Sequence, residues 1–395
     1  MIAVAYLFER FPSFTQTFVY REVMELRRQR VRLTLFSIRR PIGEPSQSWD
    51  PEIVRQVHYL PEEPALLDEV KQAMRRGKIP VEAVCAIDQW GRRSDFLRLY
   101  QAAHVGMRLP KDIRLHAHFA GMAARTAYWI KLFFGIEYSF TAHANDIFAP
   151  RPFAIGLDRL VDSANAVITE SDHAASFLKE RFPNRAARIH RVYNGLDLSH
   201  FLQADFAPTT PCIISVGRLI EKKGFADLIE ACRLLTKRGC NFRCEIVGEG
   251  PLGAALRAQI AEGGLESNVQ LMGLQTQEQI KKRLADATVF VLPCTTDPAG
   301  GTDNLPTVIM EAMAAGLPVV STPIAGVPEM VEDGVTGELV LPAEPKALAD
   351  ALERFITNPA RARQFGKCGL ELARKKFSIE KSARALIGVL EESAR

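Results

Sequence analysis

"DNLPTVIMEAMAAGLPVV" occupies residues 303–320. It opens on an acid, Asp303, and a short loop leads to Pro306. A helix-like run then carries a second acid, Glu311, before Gly316 and Pro318 end it and an apolar stretch begins. Loop, helix, breaker and buried strand in so short a space form one turn of an alternating strand–helix fold. Two carboxylates eight positions apart around one helix start pose a chemical question as well. They either cap and solvate, or they grip something.

The same alternation runs outward in both directions. Strands are expected over 2–8, 31–38, 113–118, 138–142, 167–169 and 189–193, and again over 212–216, 243–247, 269–272, 289–292 and 319–321. Helices are expected between them, among them 15–28, 120–133 and 172–182, then 225–237, 251–261, 277–287, 306–315 and 345–356. Such alternation implies parallel sheets covered by helices on both faces, with ligands at the carboxyl ends of the strands. The 395 residues exceed one ordinary core, so two doubly wound, Rossmann-like α/β domains are expected. The divide is expected near 197–210, where the chain is irregular and carries Pro208 and Pro211. The domains then span 1–200 and 201–375. A last amphipathic helix, 379–394 within the closing segment 376–395, needs a surface to pack on.

Composition is that of a soluble globular chain, with 47% hydrophobic and 24% charged residues. Seven scattered cysteines suggest reduced thiols rather than a disulfide framework, and Cys240 and Cys244 lack the partner pair of a zinc site, so no zinc site is expected. No signal peptide is read at the start, and the apolar stretch near 127–136 is interrupted by Lys131. A cytoplasmic location is expected. The net charge of +4 is uneven: residues 1–200 hold 28 Lys+Arg against 22 Asp+Glu, and residues 201–395 hold 22 against 24. Basic clusters at Arg27, Arg28, Arg30 and Arg32, and at Arg39 and Arg40, suit either a solvated face or an anionic membrane surface. No nucleic-acid-binding motif accompanies them.

Three loops carry chemistry. "SVGRLIEKKGF" (215–225) follows the first strand of the second half. Gly217 allows a tight turn, and Arg218 and Lys223 bring two cations to a helix start, which suits a pyrophosphate; a merely basic loop is the alternative. "VGEGPL" (247–252) ends the next strand. There Gly248 and Gly250 would admit a ligand closely, and Pro251 suits a first helical position. In 303–320, Pro306 likewise suits the first helical position. Asp303 in the loop and Glu311 along the helix could each accept vicinal hydroxyls. Loop capping for Asp303 and solvation for Glu311 remain the plainer alternatives.

Taken in order along the chain, these motifs resemble the retaining glycosyltransferases of family 4, with the GT-B fold of two Rossmann-like domains facing across a cleft. "FTAHANDIF" (140–148) and "VYNGLDLSHF" (192–201) are similar to that family too. "LHAHFAG" (115–121) and "RFPSFTQTF" (10–18) look like its subgroup for bacterial exopolysaccharide or lipopolysaccharide. The resemblance implies a nucleotide-diphosphate sugar as donor, a saccharide or lipid-linked saccharide as acceptor, and neither metal nor cofactor. It gives Arg218 and Lys223 the leaving diphosphate, and Glu311 the ribose. Asp303, where the family usually has Glu, takes the donor sugar, and His143 lies near that sugar or its phosphate. Gly217, Gly248, Gly250, Asn304, Leu305 and Pro306 would line the donor site. Ser13, Thr15, Gln16 and His118 would lie on the acceptor side, with the terminal helix packed back on the first domain. A sugar-nucleotide epimerase of the same architecture and a non-catalytic sugar-nucleotide-binding protein are the rival readings. A nicotinamide dehydrogenase is disfavoured, because neither half opens with Gly-x-Gly-x-x-Gly after its first strand.

Overall fold

The structure is a computed structural model that describes residues 2–45, 47–90, 95–206, 210–298 and 300–393. Pro208 in the expected linker, Ala299 in the loop before Asp303 and Ala394 at the end of the terminal helix lie outside the described residues.

Thirteen strands are described in two sheets: β1 (Ala3–Arg10), β2 (Arg32–Arg39), β3 (Val57–Tyr59), β4 (Arg114–His118), β5 (Tyr138–Ala142), β6 (Ala166–Thr169) and β7 (Ile189–Arg191) in the first, and β8 (Cys212–Val216), β9 (Arg243–Val247), β10 (Val269–Leu271), β11 (Val289–Leu292), β12 (Val319–Ser321) and β13 (Gly337–Leu339) in the second. Their orders are β3-β2-β1-β4-β5-β6-β7 and β10-β9-β8-β11-β12-β13, with every pair parallel. The central strands are buried along their whole length, as in "CIISV" of β8 and "VFVL" of β11. A strand covered on both faces by helices needs such a continuous apolar run. In each sheet the order reverses between the first strand and its later neighbour, β1 beside β4 and β8 beside β11. These are the switch points at which open α/β sheets bind ligands.

The chain divides into two compact units, 1–170 with 174–193 and 382–395, and 171–173 with 194–381. The division after Tyr193 comes earlier than position 200, because Leu196 bridges to Ser378 and joins this segment to the second unit. The terminal helix Ile379–Glu392 buries Ala383, Leu386 and Leu390 in one cluster with Val4, Tyr6, Val19, Val23 and Ile168 of the first unit.

Several local expectations need correction. β3 and β13 are edge strands of three residues, too short to show a period of two. Three consecutive helices, Glu63–Arg75, Val81–Trp90 and Phe96–Gly106, stand between β3 and β4, and Pro359–Lys376 forms a further helix in the second unit. Pro306 is the residue before the helix Thr307–Ala314, with φ −62° and ψ 108°, so it ends the loop and does not open the helix. Pro251 lies in a turn, and its helix begins only at Gly253.

Candidate functional site

The second unit assembles its site at the β8/β11 switch point. After β8, the Gly217 amide donates to the Val247 carbonyl at 2.9 Å and draws the loop beside the end of β9. A single turn of 3-10 helix, Glu221–Lys223, follows, and Gly224 at φ +67° leads into the helix Phe225–Lys237. This turn directs two consecutive lysines inward. Asp303, reached by the loop after β11, meets both of them: Oδ1 lies 3.2 Å from Lys222 Nζ, and Oδ2 pairs with Lys223 Nζ. Lys222 also donates to the Thr302 carbonyl at 3.3 Å.

Burial opposes ionisation of Asp303, but Lys223 and then Lys222 outweigh it and hold the carboxyl below its usual range. Burial likewise opposes the charge on Lys223, and the Asp303 carboxylate reverses that effect and raises its pKa. Asp303 and Lys223 are therefore ions at neutral pH. Cys294 is not, since burial and then Asp303 push its thiol up to about 12. Two ammonium groups against one carboxylate leave a positive surplus, and the charge of Arg218 also acts on Lys223. Such a spot at a strand's carboxyl end suits a polyanion.

Sequence reasoning singled out Lys223 and missed Lys222, for no motif says that a 3-10 turn turns both inward. It also gave Asp303 to a sugar. Here both carboxylate oxygens are engaged by lysines, so the acid anchors the cations. Glu311, on the helix Thr307–Ala314, is buried and not solvated.

Gly248 and Gly250 are needed for a different reason from the expected one. A Cβ on Gly248, at φ +139°, would lie 2.0 Å from the Gly217 carbonyl oxygen, and one on Gly250 would lie 2.5 Å from that of Leu219. What they admit is the neighbouring backbone loop, the one that carries Arg218 and Lys223. Asn304, Leu305 and Pro306 are buried beneath the site. Asn304 accepts from Ser171 Oγ at 2.5 Å and, through its carbonyl, from the Gly326 amide at 2.9 Å.

The first unit holds a second cluster. His143 follows β5, and its Nδ1 lies 2.8 Å from Glu170 Oε2. Its Nε2 lies 3.4 Å from His118 Nδ1, and His118 Nε2 lies 2.9 Å from Glu22 Oε1. Tyr6 donates its hydroxyl to the same Glu22 oxygen at 2.9 Å. A carboxylate thus stands at each end of a two-histidine chain, and Phe18 and Phe119 pack on the His143 ring. His118 belongs to this chain, so it is a buried partner of His143. Its strand neighbour His116 points to the same face, bonded to Ser139 at 2.9 Å and Thr141 at 3.1 Å, and burial brings its pKa to about 3. Glu22, His116 and His118 offer donor atoms within 4.8 Å of one another, a spacing a metal could use, though each ring nitrogen already has a hydrogen-bond partner.

Burial opposes protonation of His143, but Glu170 outweighs it and raises the pKa. A raised folded-state pKa stabilises the protein fully below the ordinary histidine value, and that contribution disappears as pH rises through the folded value. Glu170→Gln is expected to lower the His143 pKa and remove this pH-dependent contribution. NMR titration of the ring, beside melting curves across pH 5–9, checks it; an unchanged His143 titration would refute the pairing.

Ser13, Thr15 and Gln16 form the entry to the helix Thr17–Arg28, which starts later than expected. Ser13 is buried and donates to Glu44 Oε1 at 3.1 Å, while the Phe14 amide donates to Oε2 at 2.6 Å. Glu44 therefore pins this loop. Gln16 precedes the helix without capping it through its side chain.

Comparison with known proteins places these features. Residues 15–200 match the family model described as Glycosyltransferase Family 4, and residues 200–371 match that described as Glycosyl transferases group 1. Over 148 residues the chain is 45% identical to the amylovoran biosynthesis glycosyltransferase AmsK of Erwinia amylovora, covering 38% of this chain and 36% of that protein. Over 175 residues it is 44% identical to the putative colanic acid biosynthesis glycosyltransferase WcaL of Escherichia coli K12, covering 44% and 43%. The matched stretches thus span less than half the length of these curated relatives. The sucrose-phosphate synthase of Thermosynechococcus elongatus shares the fold, at 19% identity, a TM-score of 0.72 and 99% coverage of both chains. Anabaena HepE, solved with UDP, does so at 18% identity, a TM-score of 0.70 and 99% and 100% coverage. With its two parallel sheets and two consecutive family matches, the chain belongs to the group 1 and family 4 glycosyltransferases and has their GT-B fold.

Proposed function

We propose that the protein transfers a hexosyl group from a nucleotide-diphosphate sugar to a hydroxyl of a saccharide or lipid-linked acceptor in bacterial exopolysaccharide or lipopolysaccharide synthesis. The observation that carries this reading is the buried Lys222–Asp303–Lys223 group at the β8/β11 switch point, with Arg218 beside it. As the bond to the sugar breaks, negative charge grows on the leaving diphosphate, and cations already fixed in place stabilise it without reorganising. Asp303 keeps Lys222 and Lys223 in position. Glu311 takes the ribose hydroxyls, and His143, oriented by Glu170 and His118, takes a donor oxygen. We assign retention of anomeric configuration by front-face attack, in which the leaving phosphate accepts the acceptor proton. The names of the relatives, amylovoran and colanic acid glycosyltransferases, support the polysaccharide class.

We also propose a cytoplasmic site of action, with exposed Arg30 and Arg32 meeting the anionic inner face of the membrane. Among the described residues, no helix is long and apolar enough to cross a membrane. Arg28 and Arg39 are paired with Glu25 and Glu9, which reduces the basic face. Co-sedimentation with anionic vesicles, lost in the Arg30→Glu, Arg32→Glu double variant, tests this location.

The testing experiment for function is a melting-temperature screen with UDP, GDP and ADP. One nucleotide is expected to stabilise the protein, by about 2.7 kcal/mol at a hundredfold excess over Kd. Transfer from the matching sugar nucleotide is expected to continue in EDTA, since the cations replace a divalent metal. A strict requirement for magnesium or manganese would overturn the metal-free reading, and silence to all three nucleotides would overturn the donor assignment.

A further inference from the structure

We propose that Arg98, backed by Arg39 and Arg125, forms a second anion site, in the first unit, for an oxyanion carried by the acceptor: a phosphate or a carboxylate. The acceptor assignment rests on the transferase reading above; the anion site itself does not.

Arg98 lies in the first turn of the helix Phe96–Gly106 and is only 7% exposed. Its Nη1 is buried without a hydrogen-bond partner, and no described residue pairs with its guanidinium. Burial and then Arg39 lower its pKa to about 10, so it stays charged at neutral pH. A charge withdrawn from water and given no partner is costly, and proteins seldom keep one without use. Arg125 shows what a structural arginine looks like in the same region. Its Nη2 pairs with buried Asp95, and its guanidinium lies 3.7 Å over the Phe153 ring, although its Nε is also buried and unpartnered.

The other charges here are few. Glu9, at the end of β1, stands 3.6 Å from Arg39 Nη1 and is the carboxylate that acts on both Arg98 and Arg125. Arg39, Arg98 and Arg125 against Glu9 and Asp95 leave one positive charge over. Glu9 Oε2 also lies 3.8 Å from the place a Cβ would take on Gly121, the residue that opens the helix Met122–Phe134. Glu9 lies in the last two residues of β1, and Gly121 follows β4, so the group sits at the switch point of the first sheet, where Rossmann-like folds bind ligands. A fork of planar donors is the chemistry for a phosphate or a carboxylate.

The test titrates inorganic phosphate, and separately glucuronate, into the full chain at constant ionic strength, with calorimetry and melting curves. Wild type, Arg98→Met and Lys223→Ala are compared. At the Arg98 site, phosphate or glucuronate is expected to bind with the same affinity in wild type and Lys223→Ala, and at least about tenfold more weakly in Arg98→Met. Without ligand, Arg98→Met is expected to melt no lower than wild type, because an unpaired buried charge has been removed. Preference for phosphate points to a phosphorylated acceptor, and preference for glucuronate to an acidic sugar. Binding lost only in Lys223→Ala, or absent altogether, overturns the proposal. If Arg98→Met folds poorly, Arg98→Lys decides: it keeps the charge and loses the fork. Weaker anion binding at an unchanged melting temperature then supports the site, and unchanged binding overturns it. Nucleotide stabilisation is expected to survive in both Arg98 variants, which separates a failure here from a failure of the donor reading.

Discussion

Lys223→Ala is expected to reduce kcat by roughly 10²–10³-fold, the loss seen when one preorganised contact to developing charge is removed. The ammonium is fixed before the reaction by Asp303 on one side and by its own stem, which passes over Gly217, on the other. An added water cannot replace it, because a water must reorient as charge develops. The fold is expected to survive, since Lys222 continues to pair with Asp303 at 3.2 Å. Melting curves should therefore separate the two effects: near-normal melting without nucleotide, and a much smaller rise with it. Steady-state rates on the donor identified by the nucleotide screen supply the main readout. A loss of less than about threefold, under 1 kcal/mol of barrier, would remove Lys223 from the catalytic group.

Gly248→Ala is expected to produce the largest loss of stability among the loop variants, about 3 kcal/mol or more. Two costs add. The residue sits at φ +139°, where side chains are strained, and the new methyl would stand 2.0 Å from the Gly217 carbonyl oxygen. Neither atom belongs to a flexible side chain, so one backbone loop must move. The loop that moves carries Arg218 and Lys223, and nucleotide affinity is expected to fall with the melting temperature. Gly43→Ala is the control for strain without crowding, as Gly43 lies at φ +76° with nothing within 4 Å of the added carbon. Equal melting losses in the two variants would show that crowding contributes nothing.

Much of the fold was legible because it depends on short-range pattern. Apolar runs such as 212–216 and 289–292 are strands in the structure with the bounds read from sequence. The helices 225–237 and 345–356 likewise keep their ends, set by Gly224 before the first and Pro345 at the start of the second. Pattern failed where it had too little length or too many equivalent solutions. Of the three-residue edge strands, β7 and β10 were read from their apolar residues, and β3 and β13 were not. The helices between β3 and β4 are ordinary amphipathic segments that no functional motif marks.

The site was legible in its parts and illegible in its pairings. Sequence alone determined that two acids, a basic loop and a loop with two glycines fall at or just after the carboxyl ends of strands, because local sterics and hydrophobic period set where each strand stops. Only the tertiary structure decided what each group faces. Asp303 meets Lys222 as well as Lys223, Gly248 admits the Gly217 backbone, and His143 is held between Glu170 and His118. Arg98 Nη1 is buried without a hydrogen-bond partner among the described residues, which no spacing could reveal. Sheet order and side-chain packing set those distances between residues far apart in the chain. They also set the burial that makes an unpaired charge costlier than a paired one.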